Sequence, residues 1–345
     1  MTFSETITDW YRQNKRDLPW RKTTDPYKIW LSEIMLQQTR VEQGLPYYKE
    51  FVRVFPTVHD LAEATEEKVL KMWQGLGYYS RARNLHYTAK HIAFENNGKF
   101  PDSYKSLLKL KGVGDYTASA IASIAFKEAS PVVDGNVYRV LARYFGMDTP
   151  INSSRGIRYF KELAHELIDK TDPATYNQGI MEFGAIQCKP KSPVCGECPL
   201  NTSCVALKDQ LVDKLPVKIR NTKIRHRYFN YLIIEDKDHT VLFQRKEKDI
   251  WQHLYEFPLI ETEAPMTEDM VTTHPKFRKL IGDSRFQISL YNKDHIVHKL
   301  SHQHIFASFW VVSPRDGISD GILKSEIKAY PVPVLIANFV QEYEF

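Results

Sequence analysis

Apolar residues recur at helical spacing from residue 1 to about residue 208, and short polar or proline-containing breaks separate the segments. Many segments follow an Asp, Ser or Thr, which are the residues that cap the first turn of a helix. The pattern predicts helices over 25–39, 65–73, 80–96, 102–110, 115–127, 135–145, 153–169 and 173–184. The first half of the chain is therefore expected to be all-α.

The second half of the chain shows the alternation that is typical of strands. Aromatic and β-branched residues dominate 228–235 and return in 240–245 after a polar turn. Further strand-like runs cover 300–312 and 329–335, and a closing helix is predicted over 336–343. This pattern predicts an α+β domain over 228–345.

A basic segment separates the two halves. Residues 208–227 contain seven lysines and arginines against two aspartates, and Pro216 lies among them. We interpret 209–227 as a linker, which either stays solvated or lies along an acidic surface.

Composition limits the class of protein. A chain of 345 residues that is 43% hydrophobic holds two or three folded domains and is not a disordered chain. No run is long and apolar enough to span a membrane, and the first twenty residues do not resemble a secretory signal. We therefore expect a cytoplasmic protein, located with the chromosome if the source is bacterial. The net charge of +5 is compatible with a polyanionic partner but does not establish one.

All four cysteines lie within one short segment, with the spacing Cys188-x6-Cys195-x2-Cys198-x5-Cys204. Such a cluster in a long chain without a signal indicates a metal site rather than a disulfide framework. Four thiolates suit either a tetrahedral zinc ion or an iron–sulfur cluster. Because they leave no ligand position open for substrate, a structural or redox role is expected.

A glycine-containing turn lies between an amphipathic helix and a helix of small residues. Its residues are Lys111, Gly112, Val113 and Gly114. Two glycines this close let a ligand approach backbone N–H groups at a helix start, where phosphate is favoured. A plain tight turn explains the same pattern, so the turn alone does not establish phosphate binding.

Two carboxylates stand out. Glu33 has Ile29, Trp30 and Leu36 among its neighbours one helical turn away, so it either reaches water at a helix edge or is buried with a raised pKa. Asp134 precedes a predicted helix, where aspartate usually acts as an N-cap.

Five motifs together resemble MutY-type adenine DNA glycosylases, which excise adenine mispaired with 8-oxoguanine. They occur in the family's order and are Trp30–Thr39, Gly75–Leu85, Leu110–Ala118, Val133–Val137 and the four cysteines. The resemblance is dense over the first 205 residues and looser beyond them. A later stretch, Asp249–Pro258, resembles the Trp-x-x-Leu-x-x-Phe-Pro element of Nudix-like domains, but no run of metal-binding acids follows it.

This resemblance implies a multidomain fold. A helix-hairpin-helix glycosylase domain over 1–208 has a six-helix part at about 22–130 and a cluster part at 1–21 and 131–208. The cysteine spacing then implies a [4Fe-4S] cluster rather than zinc. A non-catalytic Nudix-like domain over 228–345 recognises 8-oxoguanine. The implied partner is double-stranded DNA with A opposite 8-oxoguanine or G, bound by a monomer.

The resemblance also implies roles for single residues. Glu33 protonates adenine at N7, and Asp134 stays ionised and stabilises or traps the oxocarbenium-like intermediate. The other implied residues form five groups: Tyr116 and Asn136 support the acids; Arg21, Leu36 and Gln178 line the adenine pocket; Lys111, Gly112, Val113 and Gly114 bind the DNA backbone; Gln38 and Tyr78 wedge into the duplex, with Tyr79 as an ordinary core residue; Ser301 and His302 recognise 8-oxoguanine.

Three positions depart from related sequences. Tyr116 stands where bifunctional relatives place a Schiff-base lysine, which predicts base excision without strand cleavage. Asp115 stands where the family often has a basic residue, and an acid there is expected to cap the helix or point away from phosphate. Leu300 replaces the phenylalanine of the Phe-Ser-His recognition loop.

Other functions stay open at this point. The C-terminal domain and the string Gln37–Thr39 argue against a thymine or oxidised-pyrimidine glycosylase. The presence of both carboxylates argues against a catalytically silent mismatch-binding protein. The alternating histidines His298, His302 and His304 could suggest a metal site, but such alternation on a strand is usually not one.

Overall fold

The structure is a computed structural model that describes residues 1–219, 224–318, 320–343 and 345. Its α-helices are α1 (Phe3–Asn14), α2 (Pro26–Leu36), α3 (Val41–Val54), α4 (Val58–Glu63), α5 (Glu66–Met72), α6 (Ser80–Lys90), α7 (Tyr104–Leu107), α8 (Asp115–Phe126), α9 (Gly135–Phe145), α10 (Ser154–Leu167), α11 (Pro173–Glu182), α12 (Val205–Lys208), α13 (Glu268–Thr273), α14 (Pro275–Ile281) and α15 (Val334–Tyr343). Wider π-helical turns extend α6 over His91–Glu95 and α11 over Phe183–Gln187. No helix among these residues is long and apolar enough to cross a membrane.

The strands are β1 (Arg225–Ile234), β2 (His239–Thr240), β3 (Phe243–Gln244), β4 (Tyr255–Glu256), β5 (Leu259–Thr262), β6 (Phe286–Leu290), β7 (Ile296–Lys299), β8 (Gln303–Pro314) and β9 (Ile322–Leu323). The main sheet has the order β5-β1-β8-β6, and β7 also pairs with β8. Strands β1 and β8 are parallel, with Tyr228 opposite Phe306. The short pairs β2–β9 and β3–β4 complete the strands.

Contacts divide the chain into two compact units. The first contains Met1–Glu63 and Asn84–Arg220, and the second contains Ala64–Arg83 and Asn221–Phe345. The sequence had predicted all of 1–208 as one domain. Segment 64–83 joins the second unit because its side chains bond to C-terminal backbone: Lys71 Nζ donates to the Tyr330 carbonyl at 3.0 Å, and Arg83 Nη1 to the Gln252 carbonyl at 2.7 Å.

The core of the first unit forms around α2 and α8. Helix α8 is built from small residues, and Ala118, Ala120 and Ala122 are fully buried, so α2 can approach its backbone closely. The residue Trp30 of α2 is also fully buried and lies edge-on to Phe100. This packing holds α2 and α8 side by side, and both contribute to the site described below.

The core of the second unit covers both faces of the main sheet. The rings of Phe309 on β8 and Phe339 on α15 stack with centroids 4.1 Å apart, and Tyr231 stacks on Phe309 at 5.3 Å. Alternate residues of β1 and β8 thus pack on the closing helix. The intervening Leu232 and Trp310 form a second buried cluster with Phe277 of α14 on the other face of the sheet.

Several predicted elements differ from the structure. The strand predicted over 329–335 is wrong, because Pro331 and Pro333 cannot donate ladder hydrogen bonds and α15 begins at Val334. The linker prediction also needs correction: Arg225 and Arg227 belong to β1, and Arg227 is buried between Asp249 and Glu261. Residues 220–223 of that linker lie outside the described residues. Helices α1, α3, α4, α12, α13 and α14 and strands β4, β5, β6, β7 and β9 were not predicted.

Candidate active site

One cavity in the first unit, of about 190 Å³, brings together seven of the residues expected at the active site. They come from α2, α8, α11, the start of α9 and the 3-10 turn Pro19–Arg21, and are Arg21, Glu33, Leu36, Tyr116, Asp134, Asn136 and Gln178. These residues are distant in sequence, so only the packing of the helices forms the pocket.

Glu33 is buried on α2, with 8% of its surface exposed. Asp25 caps helix α2, because its side chain accepts a hydrogen bond from the Tyr27 N–H at 3.0 Å, and Pro26 is the first helical residue. Glu33 lies two turns further along the same helix. Burial raises the pKa of the Glu33 carboxyl to about 7; the charge of Asp134 adds to the increase, while Tyr116 and Arg21 oppose it. The structure therefore selects the buried carboxyl from the two alternatives.

Asp134 is both a helix cap and a pocket residue. Its Oδ1 accepts hydrogen bonds from the backbone N–H groups of Asn136 and Val137, both at 2.8 Å, and its Oδ2 accepts from Asn136 Nδ2 at 2.9 Å. Burial raises the pKa of the Asp134 carboxyl, and these three donors oppose the increase because they favour the ionised form.

Hydrogen bonds connect Asn136, which holds Asp134, to the backbone of Cys188, the first of the four cysteines. Asn136 Oδ1 accepts a hydrogen bond from Arg139 Nη2 at 2.8 Å, and Arg139 Nε donates to the Cys188 carbonyl at 2.8 Å. Arg139 also donates to the Gly184 carbonyl at 2.7 Å. Arg139 therefore connects the Asp134 cap to the start of the cysteine segment.

The Tyr116 hydroxyl lies in the pocket and donates to the Met181 sulfur at 3.1 Å. Burial and the nearby carboxylates Glu33 and Asp134 raise the pKa of Tyr116 well above its usual value, so the hydroxyl keeps its proton. A neutral hydroxyl beside two carboxyl groups can donate a hydrogen bond to whichever is ionised.

Glu182 is a site residue that the sequence analysis missed. It is 1% exposed and accepts paired hydrogen bonds from Arg21 at 2.9 and 2.6 Å and from Arg16 at 2.8 and 2.7 Å. These two guanidinium groups lower the pKa of Glu182 to about 2 despite burial. Its position between Met181 and Phe183 was the same signal that had singled out Glu33: an acid within an apolar stretch.

All four cysteines line a second, small cavity of about 30 Å³, and they form no disulfide. Burial and the neighbouring thiolates raise the pKa of Cys198 to about 11, so four thiolates can coexist here only with a balancing cation. Arg143 braces the segment by donating to the Lys189 carbonyl at 2.7 Å and to the Cys188 sulfur at 3.5 Å. This donor set fits an iron–sulfur cluster, which the four thiolates would hold.

The glycine turn between α7 and α8 keeps its backbone open. Gly112 has φ +81°, and a Cβ atom there would lie 2.7 Å from the Asn84 Cβ. Gly114 caps α8 and has free space around it. Asp115, in the first turn of α8, pairs with Lys161 Nζ at 2.6 Å and accepts a hydrogen bond from the Tyr104 hydroxyl. Its charge is therefore compensated within the protein.

The second unit brings three further predicted residues together. Tyr78 has φ +47° and is 47% exposed, and its hydroxyl lies 2.6 Å from the Ser301 Oγ. Both residues and His302 line a cavity of about 470 Å³. Tyr79 is buried as expected of a core residue. Gln38 has φ +56° just after α2 and is exposed in the first unit.

Family models match three parts of the chain. Residues 31–166 match the HhH-GPD superfamily of base excision DNA repair proteins, 188–204 match the iron-sulfur binding domain of endonuclease III, and 230–342 match the NUDIX domain. These matches confirm the predicted fold class and the iron–sulfur cofactor.

Similar proteins carry the name adenine DNA glycosylase. One from Buchnera aphidicola subsp. Schizaphis graminum is 37% identical over 267 residues, which cover 77% of each chain. One from Buchnera aphidicola subsp. Baizongia pistaciae is 33% identical and covers 90% of this chain and 86% of its own. The Homo sapiens protein is 43% identical over 59% of this chain and 39% of its own.

Solved structures agree with the helical part of the fold. A thermostable thymine-DNA glycosylase is 31% identical, with a TM-score of 0.56 over 60% of this chain and 95% of its own. A non-covalent endonuclease III–DNA complex, 23% identical with a TM-score of 0.52 over 60% of this chain and 94% of its own, shares the fold.

Proposed function

Since the chain belongs to the adenine DNA glycosylase family of base-excision repair enzymes, we propose that it removes adenine paired with 8-oxoguanine or with G from duplex DNA. The substrate pairing, the residue roles and the absence of strand cleavage are parts of this proposal. We further propose that the enzyme acts as a monomer, in the cytoplasm with the chromosome if its source is bacterial.

The observation that carries the proposal is a buried carboxyl with a pKa of about 7 in the same pocket as a second carboxyl. Adenine is a poor leaving group unless its ring is protonated, so an acid that is still protonated near neutral pH is required. Glu33 meets this requirement and would donate its proton to adenine N7.

Asp134 would act on the sugar. As the glycosidic bond breaks, positive charge develops on the sugar ring, and a carboxylate must stabilise this oxocarbenium-like state or trap it covalently. The hydrogen bonds from Asn136 and Val137 favour the ionised Asp134, and a proton on Glu33 removes the like-charge repulsion between the two groups. The pair would then hold one proton between them, and Tyr116 and Asn136 would keep the two carboxyl groups in place.

Recognition of adenine would depend on Arg21, Leu36 and Gln178. Glu182 holds the Arg21 guanidinium on two hydrogen bonds, and the Tyr11 hydroxyl donates to Gln178 Oε1 at 2.6 Å. The polar groups of Arg21 and Gln178 are thus oriented before a base arrives, which reduces the conformational entropy lost on binding.

The adenine must leave the base stack before its atoms can be reached. Gln38 and Tyr78, both with positive φ, would wedge into the duplex, and the turn residues Lys111 to Gly114 would bind its backbone. Ser301 and His302 would recognise 8-oxoguanine.

Single-turnover excision tests the function directly. Duplexes carrying A opposite 8-oxoguanine, A opposite G and T opposite G are incubated with excess enzyme, and base release is measured. We expect release of adenine from the first two duplexes and no thymine release from the third. Glu33→Gln, which keeps size and loses the proton, should reduce adenine release by at least a hundredfold. Equal rates for this variant and the wild type would contradict the acid assignment.

The third duplex separates this function from that of the structurally similar thymine-DNA glycosylase. Thymine release without adenine release would favour the pyrimidine glycosylase. Binding of the mismatch without release of either base would favour a silent mismatch-binding protein.

Borohydride reduction tests the absence of strand cleavage. Because Tyr116 stands in place of a Schiff-base lysine, we expect no covalent protein–DNA adduct when borohydride is added during turnover. An adduct that forms as efficiently as adenine is released would overturn this part of the proposal.

A further inference from the structure

Helix α6 presents three neighbouring side chains to the glycine turn between α7 and α8. We propose that one of them, Tyr87, is a positioning residue that holds the Lys111 ammonium group for binding a DNA backbone phosphate. This inference rests on the proposed function, because it assumes that the turn faces DNA.

The contacts between α6 and the turn are direct. Lys111 Nζ lies 4.3 Å from the centroid of the Tyr87 ring. One residue further along α6, the Thr88 hydroxyl donates to the Lys111 carbonyl at 2.8 Å. One turn earlier, Asn84 lies so close to Gly112 that no side chain fits there. Both the backbone and the charged end of Lys111 are therefore held by α6.

No acidic side chain that the structure describes neutralises the charge of Lys111. Among the described residues, the ion pairs do not include Lys111, whereas the acid of the same turn, Asp115, is paired with Lys161. Lys111 is also the one cation in the segment 110–116. The turn therefore presents a single uncompensated positive charge beside the open backbone at Gly112 and Gly114.

The exposure of Tyr87 and Lys111 indicates that they face a ligand and do not pack in the core. Tyr87 is 57% exposed, and an aromatic ring that exposed contributes little to a core. A ring below an ammonium group restricts a side chain that otherwise samples many rotamers, and this lowers the ordering cost when the ammonium meets an anion. Phosphate is the anion that the neighbouring glycines and helix start favour.

The test measures binding of the full-length protein to undamaged duplex DNA by fluorescence anisotropy between 50 and 200 mM salt. Lys111→Ala should reduce the slope of log affinity against log salt by about 1, since one phosphate contact is lost. Tyr87→Leu should lower affinity about two- to fivefold, and Tyr87→Phe, which keeps the ring, should bind like the wild type.

The double variant distinguishes positioning from packing. If Tyr87 acts through Lys111, Tyr87→Leu has no further effect on affinity in the Lys111→Ala background. An equal loss in both backgrounds, or a Tyr87→Phe variant as weak as Tyr87→Leu, overturns the proposal. Tyr159→Leu on α10, at a tyrosine that is 49% exposed, is the matched control and should leave the affinity unchanged. Thermal unfolding of each variant verifies that it is folded.

This experiment and the excision assay fail independently. A wild-type protein that shows the Tyr87–Lys111 coupling but releases no adenine would remove the proposed function and keep the binding role. A protein that releases adenine without the coupling would remove the binding role alone.

Discussion

Two buried glutamates in one pocket have opposite chemistry, because arginines bond to one of them. In the part of the chain that the structure describes, no cation is bonded to Glu33, and burial raises its pKa to about 7. Glu182 is also buried, but two arginines hold its charge and lower its pKa to about 2. One pocket can therefore contain a proton donor and a permanently charged anchor made from the same side chain.

The raised pKa of Glu33 predicts that ionisation of this carboxyl destabilises the folded protein. The unfolded chain ionises this group at about pH 4.5 and the folded protein at about pH 7, so stability falls as the pH rises through this window. Glu33→Gln should remove this destabilisation and raise the free energy of unfolding by about 2–3 kcal/mol at pH 8, with little change at pH 4. Urea unfolding at the two pH values measures the difference, with the exposed Glu166→Gln as control. The same increase at both pH values would contradict it.

At the scale of elements, the start of α8 combines three requirements. Gly112 and Gly114 keep the turn open, the small residues of α8 let α2 approach, and Asp115 occupies the first helical turn, where a negative charge favours the helix. That charge would also repel a phosphate. The ion pair with Lys161 of α10 reconciles the two needs, because it compensates Asp115 without removing it.

Loss of this compensation should weaken DNA binding. Lys161→Ala leaves Asp115 unpaired beside the turn, and we expect about two- to fivefold lower affinity for duplex DNA, most marked at low salt. Adding Asp115→Asn to the same chain should restore the affinity, because the repelling charge is then gone. Anisotropy measurements at two salt concentrations follow both variants; if Asp115→Asn fails to restore binding, repulsion by Asp115 is not the cause.

Across the first unit, a continuous set of hydrogen bonds links the candidate active-site pocket to the cysteine segment. It runs from Asp134 through Asn136 and Arg139 to the Cys188 carbonyl. The four cysteines would hold the cluster, and their shared attachment to it would tie together a segment that has little regular structure of its own. A cluster without an open ligand position can thereby support the site while taking no part in the reaction.

Removal of one ligand should reveal this support. Cys198→Ala is expected to lose the iron and its visible absorbance and to unfold at a temperature several degrees lower than the wild type. Ser203→Ala, in the same segment, is the control and should keep its iron. A Cys198→Ala variant that keeps a full complement of iron and an unchanged unfolding temperature would contradict the expected role of the cluster.

Much of the architecture was accessible from local patterns. The helices α8, α9 and α11 were predicted closely because caps and apolar spacing act over one or two turns. Strands β6 and β7 were missed because they have only five and four residues and neither contains a fully buried residue, so no strongly apolar run marks them. The grouping of 64–83 with the C-terminal residues was also missed, since it depends on hydrogen bonds between segments more than 150 residues apart.

Residue identity and spacing along the chain were sufficient to identify the order of the motifs, the family and the set of four thiolates. They also singled out Glu33 and Asp134 as candidates without deciding the state of either. The packed helices were needed to show that Glu33 is buried with a raised pKa, that Glu182 anchors Arg21, and that Lys161 compensates Asp115. The reason is that desolvation and charge pairing depend on which distant segments pack together, and no local pattern in the chain encodes those distances.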